Sequence, residues 1–327
     1  MDDLASNPVV SVLIPVLNEE LGIGEVLDRL LAQSFATMEI VVADGGSTDR
    51  TPAILAEYAA RDARIRLVDN PGRLQSAGLN RAFETAKGSV LVRLDGHSYV
   101  GKDYVARCVA VLASTGADVV GGRMVAQAAE TPAAKAIEMA MSRRWAAGPA
   151  RFHHSGEAGF VDTVYLGSFR REIVEQVRGW AQDVGVNEDF DLNYRIRRAG
   201  GRVWYDPSLE IVYRPRSTLQ ALSRQYFRYG RSKGSMLRKR PMSILPRQMV
   251  PAALVPIALA AGGSGRLGRA GKLLLIAYVS ALAIAVERER DMRPSVRRRA
   301  GIAAAVMHWC WSAGVWVGFV SPFPAAV

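Results

Sequence analysis

Cysteine is scarce in this chain: Cys108 and Cys310 are the only two in 327 residues. Two widely separated thiols build neither a disulfide framework nor a zinc cluster, and they suit a reducing compartment. The opening stretch MDDLASNPVV lacks the charged-then-apolar pattern of an export signal, so the body of the protein is expected to stay inside the cell. Acidic residues are missing altogether from 214 to 286. Residues 214–299 hold 19 Lys and Arg against 3 Asp and Glu, a net of +16, which leaves −5 for the rest of a chain of formal charge +11. Such a basic collar suits phosphate groups, anionic lipid headgroups or nucleic acid; the plain alternative is a solvated basic face. The apolar stretches beside it fit a nucleic-acid binder poorly, so no nucleic-acid partner is expected.

The first 117 residues alternate. VVSVLIPVLN (9–18), MEIVVAD (38–44), IRLVDNPG (65–72) and VLVRLDG (90–96) are short β-branched runs of the kind that fill buried parallel strands. Between them, 21–34, TPAILAEYAARD and 74–88 carry helical spacing, and Gly88 is placed to close the third helix. DYVARCVAVLAST follows as a fourth helix. Four strand–helix repeats predict an α/β fold with an open, mostly parallel sheet, whose ligand lies beyond the strand C-termini. After 117 the pattern loosens. Residues 127–160 are Ala-rich and contain the polar stretch RFHHSGEAGF, which suggests a mobile loop. NEDFDLNYRIRRAG (187–200) opens a helix on a cluster of carboxylates, and RVWYDPSLEIVYRP supplies a last strand or hairpin.

Beyond Arg214 the composition shifts. Residues 218–241 form a basic, aromatic, amphipathic helix of the type that lies in a membrane interface. Three apolar stretches follow, 249–262, 273–286 and 301–320, of which only the last reaches the ~20 residues that span a bilayer comfortably. That stretch contains His308, Trp309, Trp311 and Trp316. Both flanks of 273–286 are rich in Lys and Arg, which leaves it re-entrant, interfacial or of mixed topology. The expected organisation is an α/β domain over 1–215, an interfacial helix over 216–243 and C-terminal membrane-associated helices over 244–327.

Four acidic clusters fall at strand ends or at a helix start: Glu19 with Glu20, Asp44, Asp95 with His97, and Glu188, Asp189 and Asp191. In a parallel α/β sheet those ends share one rim, although an isolated Asp-Gly is often only a turn. Two carboxylates one residue apart after a strand would suggest a divalent cation on a nucleotide diphosphate. Here the second position is His97. A neutral imidazole in place of a carboxylate removes one negative charge and shifts preference from Mg²⁺ toward Mn²⁺. Two other readings stay open: that Asp95 and the substrate phosphates hold the ion while His97 only hydrogen-bonds, or that His97 is a turn residue.

SVLIPVLNEE, IVVADGGSTDRT, VRLDGHSYV and NEDFDLNYRIRRAG together resemble the inverting family 2 glycosyltransferases of the GT-A fold, in order and spacing, over residues 9–235. The Asp-x-His form with an apolar tail is similar to the bacterial exopolysaccharide branch, the succinoglycan-type glucosyltransferases. The resemblance implies that Asp44 accepts from the ring N–H of the nucleotide base, uracil by analogy. It implies that Pro15, Asn18 and Glu19 line base and ribose, and that Arg73 contacts base or phosphate. Asp95 would meet ribose and metal. Asp189 would be the base that takes the acceptor proton, with Glu188 and Asp191 beside it as acceptor contacts or helix caps. Gln225-x-x-Arg228-Tyr229 resembles the Gln-x-x-Arg-Trp motif of processive members, with Tyr in place of Trp. Arg228, with Arg231 and Lys233, would then hold a diphosphate; a purely membrane-surface helix is the alternative.

The resulting expectation is a hexosyltransferase that uses a UDP-sugar, a divalent cation (Mn²⁺ or Mg²⁺) and a polyprenyl-pyrophosphate-linked saccharide at the inner, or plasma, membrane, with its catalytic domain cytoplasmic. A bare polyprenyl phosphate is the alternative acceptor. A non-catalytic nucleotide-sugar-binding scaffold is the rival of another class, which the intact Asp95 and Asp189 oppose.

Overall fold

The computed structural model describes residues 9–154 and 156–321. By chain contacts it divides into two units. Of the described residues, the first takes in 9–125 and 156–213; the second takes in 126–154 and 214–321.

The first unit is built on one sheet. Strands β1 (Val10–Val16), β2 (Met38–Asp44), β3 (Ile65–Asp69) and β4 (Val90–Arg93) are its parallel half, in the order β3-β2-β1-β4. Their crossovers are helices α1 (Ile23–Leu31), α2 (Thr51–Arg61) and α3 (Gln75–Thr85). β1 and β2 are buried on both faces apart from Asp44, as continuous apolar runs require. After β5 (Tyr99–Val100) and helix α4 (Tyr104–Thr115), the sheet continues through β8 (Tyr165–Arg170), β6 (Val119–Ala126) and β9 (Val203–Tyr213), with β8 antiparallel to both β4 and β6. β5 and β7 (Gly159–Phe160) both pair with β9. α7 (Arg171–Gln176) and α8 (Glu188–Arg198) complete this unit. The strand order reverses direction at β1, so a crevice is expected beyond the C-terminal ends of β1 and β4.

Two local expectations change. Gly88 does not close a helix: α3 ends at Thr85, and a Cβ at Gly88 would stand 2.6 Å from the Ser11 nitrogen. It is needed for close approach to β1, where its N–H donates to Ser11 Oγ at 2.8 Å. RFHHSGEAGF, expected as a mobile loop, ends in β7 (Gly159–Phe160), and the Ala-rich stretch before it is helical. Thr131 caps α5 (Pro132–Ser142) by accepting from the Ala134 N–H, and α6 (Arg144–Ala147) and a 3-10 turn at Arg151–His153 follow.

The second unit joins α5 and α6 to α9 (Leu219–Lys239), α10 (Pro246–Ala252), α11 (Leu254–Ala261), α12 (Gly265–Arg288) and α13 (Pro294–Val320). Where the sequence draws a boundary near 215, the contacts draw it after Tyr213 and add 126–154 to the helical side. The physical reason is packing. Ala136 and Met139 of α5 share a buried cluster with Ala300 of α13, and Glu289 accepts from Arg143 Nε and Trp145 Nε1, both at 2.9 Å. Residues 249–262 form two short helices that break at Ala253, in a stretch carrying Pro251 and Pro256.

α9 and α13 cross at glycine. A Cβ at Gly230 or Gly234 would lie 2.1 or 2.0 Å from the carbonyl oxygen of Trp311 or Val315, and one at Gly314 or Gly318 would lie 2.3 or 1.9 Å from that of Phe227 or Arg231. Each helix therefore presents a Gly-xxx-Gly stripe to the other, and the backbones meet directly. Among the described residues, α12 and α13 are the two helices long and apolar enough to cross a membrane. They differ in exposure: 11% of the apolar window of α12 is buried, against 39% for α13.

Candidate active site

The C-terminal ends of β1, β2 and β3 meet at one corner. Asp44 ends β2, and its Oδ1 accepts from the Ser47 N–H at 3.1 Å and from Ser47 Oγ at 2.6 Å, which closes the Gly45–Gly46 turn. The Ser47 hydroxyl oxygen in turn accepts from the Asn18 N–H at 2.8 Å, while Asn18 Oδ1 accepts from the Thr48 N–H at 2.8 Å. Asn18 and Arg73 both have positive φ, 56° and 54°, unusual for residues with a side chain. A Cβ at Gly45 would stand 3.6 Å from Arg73 Cα, so Asp44, Asn18 and Arg73 line one edge. Pro15, by contrast, is buried within β1 and packs toward Gly78 of α3.

The loop after β4 faces the loop after β1. His97 Nδ1 lies 2.9 Å from Glu19 Oε1. A Cβ at Gly96 would meet Glu19 Cγ at 2.9 Å, and one at Gly22 would meet the Gly96 carbonyl at 2.9 Å, so only glycine allows this approach. The Glu19 carboxylate is thus turned to His97, and the Glu19 carbonyl, not its side chain, accepts from the start of α1. Asp95 Oδ1 accepts from Gln75 Nε2 at 2.7 Å and from Arg93 Nη2 at 3.2 Å.

Arg93 links this loop to α8. Its Nη2 donates to Glu188 Oε1 at 2.8 Å and its Nη1 donates to Asp189. The Arg93, Glu188 and Asp189 side chains are 2%, 5% and 20% exposed, so of the Glu-Asp pair only Asp189 keeps appreciable surface. Burial raises the Asp189 carboxyl to about 7; Arg93 pulls it down, and Glu188 and Asp95 push it further up. Asp191 sits in the same turn but has no exposed surface, and its Oδ2 accepts from Arg195 Nε at 2.7 Å. Arg195 continues to the carbonyls of Val177 and Gly179. Asp191 is therefore neither a helix cap nor an open acceptor contact; it ties α8 to the segment before it.

In the second unit, Gln225 Nε2 donates to Tyr229 Oη at 3.0 Å and Arg228 is exposed. Arg231 carries the backbone that meets Gly314 and Gly318. Lys233, read from sequence as a phosphate ligand, is 2% exposed and donates from Nζ to the Ser243 carbonyl at 2.8 Å, so its charge is held inside the helices.

Residues 11–178 match the family model described as Glycosyl transferase family 2. The succinoglycan biosynthesis protein ExoA of Rhizobium meliloti is 35% identical over 320 residues, 96% of each chain. The chain belongs to glycosyl transferase family 2. Among solved structures, this glycosyltransferase is similar to the mannosyltransferase PcManGT of Pyrobaculum calidifontis, in complex with GDP-Man and Mn²⁺. That likeness has a TM-score of 0.57 at 23% identity and covers 94% of this chain and 88% of the other. It is also similar to S. aureus TarS in complex with UDP, with a TM-score of 0.51 at 15% identity over 94% and 90%. These likenesses support the GT-A fold, a Rossmann-like mixed sheet followed by C-terminal helices.

Within the glycosyltransferase site, two residues escaped the sequence reading. Gln75 opens α3 and Arg93 ends β4, and neither belongs to a residue type or spacing that signals chemistry by itself. The one available signal for Arg93 was a charged residue at the end of an otherwise apolar strand run. Among the described residues, no group of three or more His, Cys, Asp or Glu is placed to hold a metal ion.

Proposed function

We propose that this glycosyltransferase moves glucose from a UDP-sugar, with inversion, to a polyprenyl-pyrophosphate-linked saccharide in exopolysaccharide synthesis. The observation that carries the reading is the convergence of Asp95, Glu188 and Asp189 on the single guanidinium of Arg93. It brings the end of β4 and the first turn of α8 to one point. The succinoglycan biosynthesis role of the R. meliloti relative supports the pathway, and the UDP in the TarS structure supports the nucleotide.

Asp44, Asn18 and Arg73 form the edge that would take base and ribose, with Glu19 near the ribose. Asp95 would bind beside the diphosphate. Asp189 takes the acceptor proton: the acceptor oxygen bonds to the anomeric carbon, the bond to the diphosphate oxygen breaks, and its electron pair leaves with the diphosphate. The exposed fifth of Asp189 gives an acceptor hydroxyl a route to the carboxylate.

The residues present fit a divalent cation. One guanidinium against three carboxylates leaves two negative charges when all are ionised. His97 Nδ1 lies 2.9 Å from Glu19 Oε1, and an Nδ1–H donated there would make Nε2 the metal-facing nitrogen. Asp95 and His97 would hold the ion with the donor's phosphate oxygens. When bound, it supplies Lewis-acid neutralisation of the leaving diphosphate.

On α9, Gln225, Arg228, Tyr229 and Arg231 are the residues that would bind a diphosphate group. The exposed apolar side chains of α12, with the basic collar, support a location at the cytoplasmic face of the inner membrane. The test is a donor screen with membranes, with and without Mn²⁺, that follows radiolabelled sugar into lipid. Transfer from UDP-glucose that disappears in Asp189→Asn is the expected result. Undiminished transfer in that variant would remove Asp189 as base.

A further inference from the structure

Arg93 combines three features that a stabilising residue does not need together. It is 2% exposed, so no substrate touches it. Its planar fork is shared between the two sides of the reaction: Nη2 holds Asp95 at 3.2 Å on the donor side, and Nη1 holds Asp189 on the acceptor side. It also projects from β4, which is bonded to β1 on one edge and β8 on the other, so the base of the side chain is rigid.

Its cost points the same way. Arg93 Nε and Glu188 Oε2 are buried and have no hydrogen-bond partner among the described residues. A buried ion cluster with unsatisfied atoms is a poor source of stability relative to an apolar core. What it supplies is geometry. Glu188, 2.8 Å from Nη2 and nearly buried, fixes the plane of the guanidinium, and the plane fixes where Asp189 stands.

We infer that Arg93 is a positioning residue, which holds Asp189 at a set distance and angle from Asp95 so that base and donor stay aligned on opposite faces of the anomeric carbon. This rests on Asp189 being the base. In-line displacement tolerates little error: a misplacement of ~1 Å costs on the order of 100-fold. Lysine in place of Arg93 keeps the charge but loses the fork, because one ammonium cannot span the three carboxylates with fixed angles.

The test is a double-mutant cycle on the full-length protein in membranes, with transfer kinetics and with UDP and GDP binding measured in parallel. Arg93→Lys is expected to lower kcat by about 100-fold while nucleotide affinity stays within about threefold. Asp189→Glu moves the carboxylate off its position; in that background Arg93→Lys is expected to cost less than about threefold, since the alignment is already lost. Equal cost in both backgrounds would overturn the inference, as would a parallel loss of nucleotide affinity, which marks a general structural role. Full activity in Asp189→Asn is a distinct result: it removes the base assignment, and the positioning role with it.

Discussion

A carboxyl that ionises near neutrality leaves a mark on both rate and stability. As the proposed base, Asp189 would act only when ionised, and burial lifts its carboxyl to about 7. The rate kcat/KM for transfer is therefore expected to rise with pH through about 7, well above the usual carboxylate range. Stability runs the opposite way. The folded state binds this proton more tightly than the unfolded chain, so the stabilisation is complete below the ordinary Asp value and is lost as pH rises through about 7. Asp189→Asn should then melt higher than the parent at pH 8 and show a flatter profile between pH 5 and 8; melting curves across that range check both. His97 yields a second prediction. His97→Asp adds negative charge and oxygen donors beside Asp95, so the variant should reach half-maximal transfer at lower Mg²⁺ than the parent. An unchanged metal titration would take His97 out of the metal site. The acidic residues were legible in the sequence because short turns after apolar strands advertise them. Arg93 and Gln75 were not, because what matters about them is burial and choice of partner, and both are set by strands and helices that sequence order keeps far apart.

The α9–α13 crossing depends on four residues with no side chain. Bringing two helix backbones into contact leaves no room for even one methyl group, as the distances at Gly230, Gly234, Gly314 and Gly318 state. Gly318→Val is expected to force the helices apart at a cost of ~1–3 kcal/mol or more, the range for overpacking a filled interface. Gly101→Ala is the control, since nothing lies within 4 Å of a Cβ there and its change should stay within about 0.5 kcal/mol. Thermal melting of the two variants compares them directly, and equal midpoints would contradict the tight crossing. The alternation of strands and helices was readable up to residue 117 because each element there carries its own period. The Gly-xxx-Gly stripes are also written in the sequence, one in a basic helix and one in an apolar helix. Neither names its partner, and a basic helix read alone looks like a surface helix. α5 lies in an Ala-rich segment whose residues favour helix but whose small side chains mark no clear buried face, so its packing on Ala300 is not legible from sequence.

Two features of this molecule would each draw it to a membrane, and they can be separated. One is the collar of residues 214–299 with its net +16, which acts on anionic headgroups and is screened by salt. The other is the apolar face of α12, where Leu273, Leu274, Ile276, Val279 and Ile284 are each more than half exposed. The uncharged stretch of α12 runs from Leu273 to Val286, and at 1.5 Å per residue it is ~21 Å long. That falls short of the ~30 Å hydrocarbon layer, so Lys272 and Arg288 at its ends would extend toward headgroups if it inserts. α13 reads from sequence as the better anchor because it is longer, yet its Gly stripe and Met307 are committed to neighbouring helices. Length and composition carry no record of which face is already used. Placing lysine at both Ile276 and Val279 costs ~2.5–3.5 kcal/mol for each charge at the bilayer centre, which removes the apolar anchor and leaves the collar. The double variant should still float with anionic vesicles at low salt and be released at about 1 M salt, where the screening length is ~3 Å. The parent should stay bound under both conditions. Retention of the double variant at high salt would show that α12 is not the anchor and that the apolar attachment lies elsewhere in the helical unit.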